Sequence, residues 1–334
     1  MSTNRLSQPF VMAAAVLAVA GSSAWPAMSH AQGLFGNAAK PIMMVIPTGP
    51  GASNDLETRM YGQKLTELTG QAFIADYKPG AGTTLAAAYV AKAAPDGYTL
   101  VGVSSSFTAA AALYDNLPYD PLKDFAPVTL MSKRSTVIMA HPSMPFKNVQ
   151  EYIAYTKANP GAINIATVGS GSGPHINAEW FHMMANTKVT FVHYKSAAAM
   201  QSDLLSGRVQ MTWASLLTGL PHIRSGKLRL IAIGNTERSP LVADGVPAAE
   251  QGMPGYDYGS MYALLAPGGT PPAIVNRLAT EFARVVKSPD VAKKLDADGG
   301  FAVGSTPQQL SQLLATEIAR YRKIVRDGNI KAEQ

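Results

Sequence analysis

A five-residue apolar run, Ile42-Met43-Met44-Val45-Ile46, is followed by the turn Pro47-Thr48-Gly49-Pro50-Gly51-Ala52-Ser53-Asn54-Asp55. Apolar residues then recur at Leu56, Met60, Tyr61, Leu65 and Leu68. The run reads as a buried strand and the later spacing as one face of a helix. Ser53 or Asn54 is the expected N-cap, and Asp55 falls in the first turn, where negative charge is favoured. The unit is therefore strand, turn without bulky side chains, helix. It aims unpaired N–H groups and a helix dipole at whatever lies over the turn, which makes an anion site.

The same grammar continues along the chain. Ala72–Ala75 reads as a strand ending at Asp76, Lys78–Thr83 as a second Gly-rich turn, and Thr84–Lys92 as a helix. Tyr98–Val103 is a third strand, ending in Ser104-Ser105-Ser106. Strands and helices alternating over short turns argue a parallel, doubly wound sheet, with ligands at the carboxyl ends of its strands. A second unit starts with the β-branched run Thr136-Val137-Ile138, followed by a helix over 149–158 stopped by Asn159-Pro160-Gly161. Next come the strand 163–167, the turn Val168-Gly169-Ser170-Gly171-Ser172-Gly173-Pro174 and a helix from His175 to Ala185. Runs at 189–192, 200–205, 209–213 and 228–233 extend the alternation, and amphipathic helices are expected at 272–287 and 307–326. Two α/β halves, each with a helix N-terminus over a Gly-rich turn, suggest two lobes facing across a cleft.

The start of the chain reads as a leader. Phe10–Ala20 is an uncharged apolar stretch too short to span a bilayer comfortably, and Ser29-His30-Ala31 places small residues before a cut at Gln32. A signal peptide over 1–31 and a soluble, exported mature protein are expected. Arg5 is the only charge in that segment, so its removal takes the formal net charge from +6 to +5. This surplus is spread thinly, without the dense basic run of a nucleic-acid footprint. With no cysteine, disulfides, thiol catalysis and Cys-held metals are excluded.

Several other chemistries fail on spacing. Gly49-x-Gly51-x-x-Asn54, with Asp76 ending the next strand, imitates a dinucleotide fingerprint but lacks its third Gly. Gly169-Ser170-Gly171-Ser172-Gly173 is not a nucleophile elbow, because residue 171 is Gly, and no Walker-type phosphate loop occurs. His175, Glu179 and His182 share a helix face but spread over about two turns, too far for one ion. The expectation is a His near the helix start, a Glu serving a loop and a His at the surface. Asp96, Asp120 and Asp124 lie in turn and cap contexts, a structural use. Asp55 either supports its helix or sets ligand choice. Phe107, Tyr194 and Trp213, near predicted strand ends, either line the pocket or pack in the core.

Taken together, the motifs make the chain resemble the Bug-type periplasmic solute receptors of tripartite tricarboxylate transporters, from about Pro41 to Ile330. The resemblance rests on Pro47-x-x-Pro50-Gly51-x-x-x-Asp55, Lys78-Pro79-Gly80-Ala81-Gly82 and Ala94-Pro95-Asp96-Gly97-Tyr98-Thr99-Leu100. Tyr119-Asp120-Pro121-x-x-Asp124-Phe125-x-Pro127-Val128, Asn159-Pro160-Gly161 and Gly169-Ser170-Gly171-Ser172-Gly173-x-His175-x-x-x-Glu179 continue it. Tyr194-Lys195, Asp203-Leu204-Leu205-x-Gly207, Gly226-Lys227-Leu228-Arg229, Glu250-x-Gly252-x-Pro254-Gly255-Tyr256 and Ala266-Pro267-x-Gly269-Thr270-Pro271 complete it. The chain departs from the family pattern at Ala52 and Ser196, where Gly is usual.

The resemblance implies an α/β, two-lobed Venus-flytrap fold of type II-like arrangement, each lobe a mostly parallel sheet flanked by helices. Lobe one would comprise 40–135 plus 240–334, and lobe two 136–239. It implies a periplasmic receptor, monomeric, without cofactor, metal or catalytic residue, that delivers a small organic carboxylate to two integral transporter subunits. The resemblance implies the ligand class alone, mono-, di- or tricarboxylate, aliphatic or aromatic. Its clamp would be the loops Thr48–Asp55 and Gly169–His175. The candidate ligand-binding residues are Thr48, Gly51, Ala52, Ser53, Asp55, Ser104, Ser105, Gly169, Ser170, Gly171, Ser172, His175, Tyr194 and Trp213. The alternatives are a receptor of the same fold feeding a signalling partner, and an exported α/β enzyme.

Overall fold

The computed structural model describes residues 40–331 except Asp298, and of Ala81 the backbone alone. The expected signal segment, 1–31, lies outside the described residues. In chain order the elements are β1 (Ile42–Ile46), α1 (Ser53–Thr69), β2 (Phe73–Tyr77), α2 (Thr84–Ala91), β3 (Thr99–Ser104) and α3 (Ser105–Leu113). Then come β4 (Phe125–Arg134), β5 (Thr136–Ala140), α4 (Val149–Ala158), β6 (Asn164–Val168), α5 (Gly173–Ala185) and β7 (Thr190–Tyr194). They are followed by α6 (Ala197–Leu205), β8 (Met211–Ser215), α7 (Leu216–Arg224) and β9 (Arg229–Ile233). The chain closes with β10 (Ser260–Pro267), α8 (Pro272–Val286), α9 (Pro289–Ala297), β11 (Gly300–Ala302) and α10 (Pro307–Asp327).

Two sheets result. A six-stranded sheet has the order β11-β4-β10-β3-β1-β2, and a five-stranded one the order β7-β6-β8-β5-β9. Each is mixed: β1 is parallel to β2 and β3, but β10 runs antiparallel between β3 and β4. In the second sheet β6 is parallel to β7 and β8, while β5 is antiparallel to β8 and β9. Most strands of each sheet run in one direction, as expected, with β10 and β11 opposed in the first and β5 in the second. A strand that re-enters a sheet directly from the other lobe, with no crossover helix, arrives at the opposite end and runs antiparallel.

Both faces of each sheet are covered by apolar helix stripes. Tyr61 and Leu65 of α1, Phe282 of α8 and Leu295 of α9 bury one face of the first sheet. Val90 of α2, Phe107 of α3 and Leu310 and Leu314 of α10 bury the other. In the second lobe Tyr152 of α4 and Phe181 of α5 cover one face, and Leu204 of α6 and Leu220 of α7 the opposite one.

The chain passes between the sheets at Ser135 and again at Gly259. The Gly234 N–H donates to Thr136 O at 2.8 Å and the Tyr258 N–H to Gly234 O at 2.9 Å, so the two passages are tied side by side. The segment 240–258, expected with the first lobe, instead packs on the five-stranded sheet. Val242 joins the α6–α7 face, and Ala248, Met253, Tyr256 and Tyr258 join the α4–α5 face. Helix α10 spans both lobes: Tyr321 and Ile324 pack with Ile176 of α5, and Asn177 donates to the Tyr321 hydroxyl at 2.8 Å.

Candidate functional site

The parallel strands of both sheets end where helices begin, and how each helix starts decides what its N-terminus can do. Ser104 caps α3 by accepting from the Ser106 N–H, Ser172 caps α5 from the His175 N–H, and Ser196 caps α6 from the Ala199 N–H. Helix α2 is entered through a one-turn 3-10 helix over Ala81–Thr83. Helices α1 and α7 have neither device. The N-cap of α1 is Ala52, not Ser53 or Asn54 as the sequence suggested, and an Ala has no side-chain acceptor. The N-cap of α7 is Ser215, whose hydroxyl does not bond back to the helix. The Leu216 N–H of α7 donates to Ser135 O at 2.9 Å, whereas the first turn of α1 presents uncapped donors at the positive end of a dipole.

Helix α1 is held firmly under its open end. Asn54 donates to Gly102 O of β3 at 3.0 Å and accepts from the Thr58 hydroxyl at 3.0 Å. The Asp55 carboxylate accepts from the Gly51 N–H at 2.7 Å, from Arg59 at 2.8 and 3.0 Å, and from the Tyr77 hydroxyl at 2.6 Å. Burial alone would raise its pKa, but the bonds from Arg59, Tyr77 and Gly51 outweigh it and hold the carboxyl below its ordinary range. A carboxylate has about four acceptor positions, and here they are filled. Asp55 thus fixes the Gly51 turn, whose φ of +85° suits glycine.

The α5 loop is organised differently. The Gly169 N–H donates to Tyr194 O, the Gly171 N–H to His175 Nδ1 at 3.0 Å, and the Gly173 N–H to the Ser106 hydroxyl at 3.3 Å. Much of its donor capacity is therefore spent inside the protein. Gly171 sits so tightly against α3 that a Cβ would lie 2.3 Å from Leu113 Cδ2. Across the same seam, Gly82 and Gly171 both approach the Tyr114 hydroxyl.

The other sequence candidates fall as follows. The Ser105 hydroxyl accepts from the Met261 N–H at 3.2 Å, and the Tyr194 hydroxyl donates to Asp203 at 2.9 Å. Trp213 is corrected: it is 1% exposed in the α4–α5 core and donates to the Tyr256 hydroxyl at 2.9 Å. Strand alternation puts it on the α4–α5 face, with Ala214 on the α6–α7 face. His182 is also corrected, being buried rather than at the surface, between the Tyr152 and Thr187 hydroxyls at 3.0 and 2.7 Å. Burial drives its pKa down to about 3.

Thr48 Oγ1, in the loop before α1, has no hydrogen-bond partner among the described residues. Tyr262 of β10, which sequence reasoning missed, is 6% exposed, and its hydroxyl faces Ser53 of α1 and Ser215 at the start of α7. Burial, with the Glu57 charge, pushes its pKa up to about 12, so it stays a neutral donor. Its signal was the buried run 261–266, which carries a lone aromatic hydroxyl. A cavity of about 340 Å³ opens elsewhere, at the hinge, between Lys133, Asn235, Asp257, Phe301 and Arg320. Among the described residues no group of three His, Asp or Glu is placed to hold a metal ion.

Two lobes joined by paired passages, with helix N-termini over Gly- and Ser-rich turns, define a two-lobed solute-binding protein. The chain belongs to the tripartite tricarboxylate transporter receptor family (TctC), whose profile matches residues 58–330. The family is one of periplasmic solute receptors rather than enzymes. Protein BugT of Bordetella pertussis is 32% identical over 295 residues, covering 88% of this chain and 90% of that one. The structure of R. palustris Rpa4515 with adipate superposes with a TM-score of 0.83 at 31% identity, covering 88% of this chain and 99% of that one. MatC from Rhodopseudomonas palustris with bound malate gives 0.81 at 30% identity, over 86% and 99%.

Proposed function

We propose that this receptor captures a small organic carboxylate between its lobes and delivers it to a membrane transporter of two integral subunits. The observation that carries the reading is the open N-terminus of α1: Ala52 cannot cap it, and Asn54 and Asp55 hold it rigidly in place. Thr48, Gly51 and Ser53 lie beside that terminus, and Ser104 and Ser170 line the neighbouring turns. The adipate and malate in the two related structures support a carboxylate as the ligand. The lobes are taken as 40–135 plus 259–331 and 136–258. The protein acts as a monomer in the periplasm after cleavage near Ala31. Closure by hinge motion at Ser135 and Gly259 retains the ligand.

The test is a thermal-shift screen of the mature protein against carboxylates, including adipate, malate, amino acids and aromatic diacids. A ligand at a hundred times its Kd adds about 2.7 kcal/mol of stability, a shift of several degrees. No shift with any carboxylate, alongside one with a nucleotide or a metal ion, overturns the reading.

A further inference from the structure

We propose that His175 is a positioning residue for carboxylate capture, holding the α5 loop in its binding shape as Asp55 holds the α1 loop. The proposal rests on the carboxylate reading, with the ligand between these two loops. Both loops use one device at one spacing. Gly51, at φ +85°, donates its N–H to the Asp55 carboxylate at 2.7 Å, and Gly171, at φ +74°, donates its N–H to His175 Nδ1 at 3.0 Å. In each case the glycine stands just before the N-cap, Ala52 or Ser172, and the acceptor is the third residue of the helix. A supporting residue follows one turn further on: Arg59 pairs with Asp55, and Glu179 Oε1 lies 3.6 Å from His175 Nε2. The next parallel strand closes each brace from the side. Tyr77 of β2 does so by a hydroxyl bond to Asp55, and Phe191 and His193 of β7 by ring contacts to His175.

The second brace works only in one tautomer. An imidazole nitrogen that accepts from an N–H carries no proton, so Nε2 holds the ring's single hydrogen and the side chain is neutral. Glu179, on the Nε2 side, favours the hydrogen there. His175 is 4% exposed, and its ring centroid lies 4.8 Å from that of Phe191 and 4.6 Å from that of His193, both edge-to-face, which fixes its orientation.

The α5 loop has particular need of a brace. Gly169, Gly171 and Gly173 alternate with Ser170 and Ser172, and an unbraced run of this kind gives up much conformational freedom when it closes on a ligand. A loop already fixed in its bound shape avoids that loss, so affinity rises without a new contact. Neutrality matters as well. In α1 the charge of the brace is offset by Arg59, whereas the residue one turn beyond His175 is itself an acid. An aspartate at 175 would add a second negative charge beside the place a ligand carboxylate occupies. The imidazole supplies the acceptor without the charge.

The experiment uses the mature protein with adipate and malate as probes, read by calorimetry, and the unliganded protein read by NMR. The imidazole nitrogen shifts should show His175 protonated at Nε2 alone, and the Gly171 amide should exchange slowly with solvent. His175→Leu, which fills the site without an acceptor, should lose the Gly171 protection and weaken binding about tenfold or more, the scale of one lost hydrogen bond. His175→Asn should restore the protection and bring binding to within about threefold of the parent. Asp55 shows that a side chain of this length at the third helical residue reaches the glycine N–H. His175→Asp should keep the protection yet bind more weakly than His175→Asn. Variants are compared at a temperature where their unliganded melting curves show them folded, which separates lost positioning from a lost fold. Equal weakening in His175→Leu and His175→Asn, or a freely exchanging Gly171 in the parent, would overturn the positioning role and leave the carboxylate reading intact. A protected Gly171 in a parent that takes up neither probe nor any other carboxylate of the screen would overturn the carboxylate reading, and with it the role in capture.

Discussion

Glu57 of α1 and Arg134, the last residue of β4, form a buried ion pair directly before the first hinge passage. The Glu57 carboxylate also accepts from the Ser132 and Tyr61 hydroxyls, so both oxygens are engaged. The pair fixes the helix that carries the anion site to the strand that leads into the hinge. Removing one partner of a buried pair leaves an uncompensated charge and costs about 3–5 kcal/mol. Glu57→Ala should lose about that much in urea unfolding. The double variant Glu57→Leu/Arg134→Met should recover most of it, and equal losses for the two would contradict the assignment.

Asp55 has a folded-state pKa below its ordinary value, because the bonds from Arg59, Tyr77 and Gly51 outweigh its burial. Its contribution to stability is therefore full above the unfolded carboxyl pKa, about 3.9, and is lost as pH falls through the lower folded value. Asp55→Asn should be less stable than the parent at neutral pH and should flatten the dependence below about pH 4. Chemical denaturation between pH 2 and about pH 5 checks both.

His182 titrates at about 3 in the folded protein, because burial disfavours its charged form. The unfolded chain takes up that proton near pH 6.5, so the folded state loses about 1.4 kcal/mol per pH unit on acidification from there towards 3. Replacing it with Gln should remove this part of the slope while keeping a polar group between Tyr152 and Thr187. An unchanged slope would show that another group supplies it.

Gly102 lets α1 lie close on β3. A Cβ at this position would be 2.8 Å from the Thr58 hydroxyl and 3.3 Å from Asn54 Oδ1. Gly102→Ala should cost about 1–3 kcal/mol through overpacking. It should also weaken ligand binding, since the displaced residue is Asn54, in the first turn of the anion site. Melting and calorimetry on the same variant separate the two effects.

Much of the architecture was legible from spacing alone. Helix α4 occupies 149–158, as the apolar period and the Asn159-Pro160-Gly161 stop require. The strand–turn–helix unit at 42–69 also stands where the sequence places it. The elements that escaped did so for physical reasons. Helix α3, rich in serine and alanine, faces β3, α5 and α10 at once, so it has no polar stripe to reveal a helical period. Strand β10 is buried along its whole length, which erases alternation. Helix α7 carries Gly219 and Pro221, residues that read as a break. The α5 loop drew attention through its glycines, whereas the uncapped start of α1 is marked by an alanine at position 52. A missing cap is harder to see in a sequence than a present one.

The interleaving of the lobes also sets an order of assembly. The five strands of the second sheet are complete within residues 136–233, whereas β3 must wait for β10, paired Val101 to Leu265 and Ser104 to Tyr262. Contacts so distant along the chain form slowly. During synthesis the second lobe has all its strands while the first still lacks its central antiparallel strand, and the segment from β10 onward acts as the closing stitch. Pulse-labelled hydrogen exchange during refolding should accordingly protect Ile165 and Met211 before Val101 and Leu264. The reverse order would place the nucleus in the discontinuous lobe.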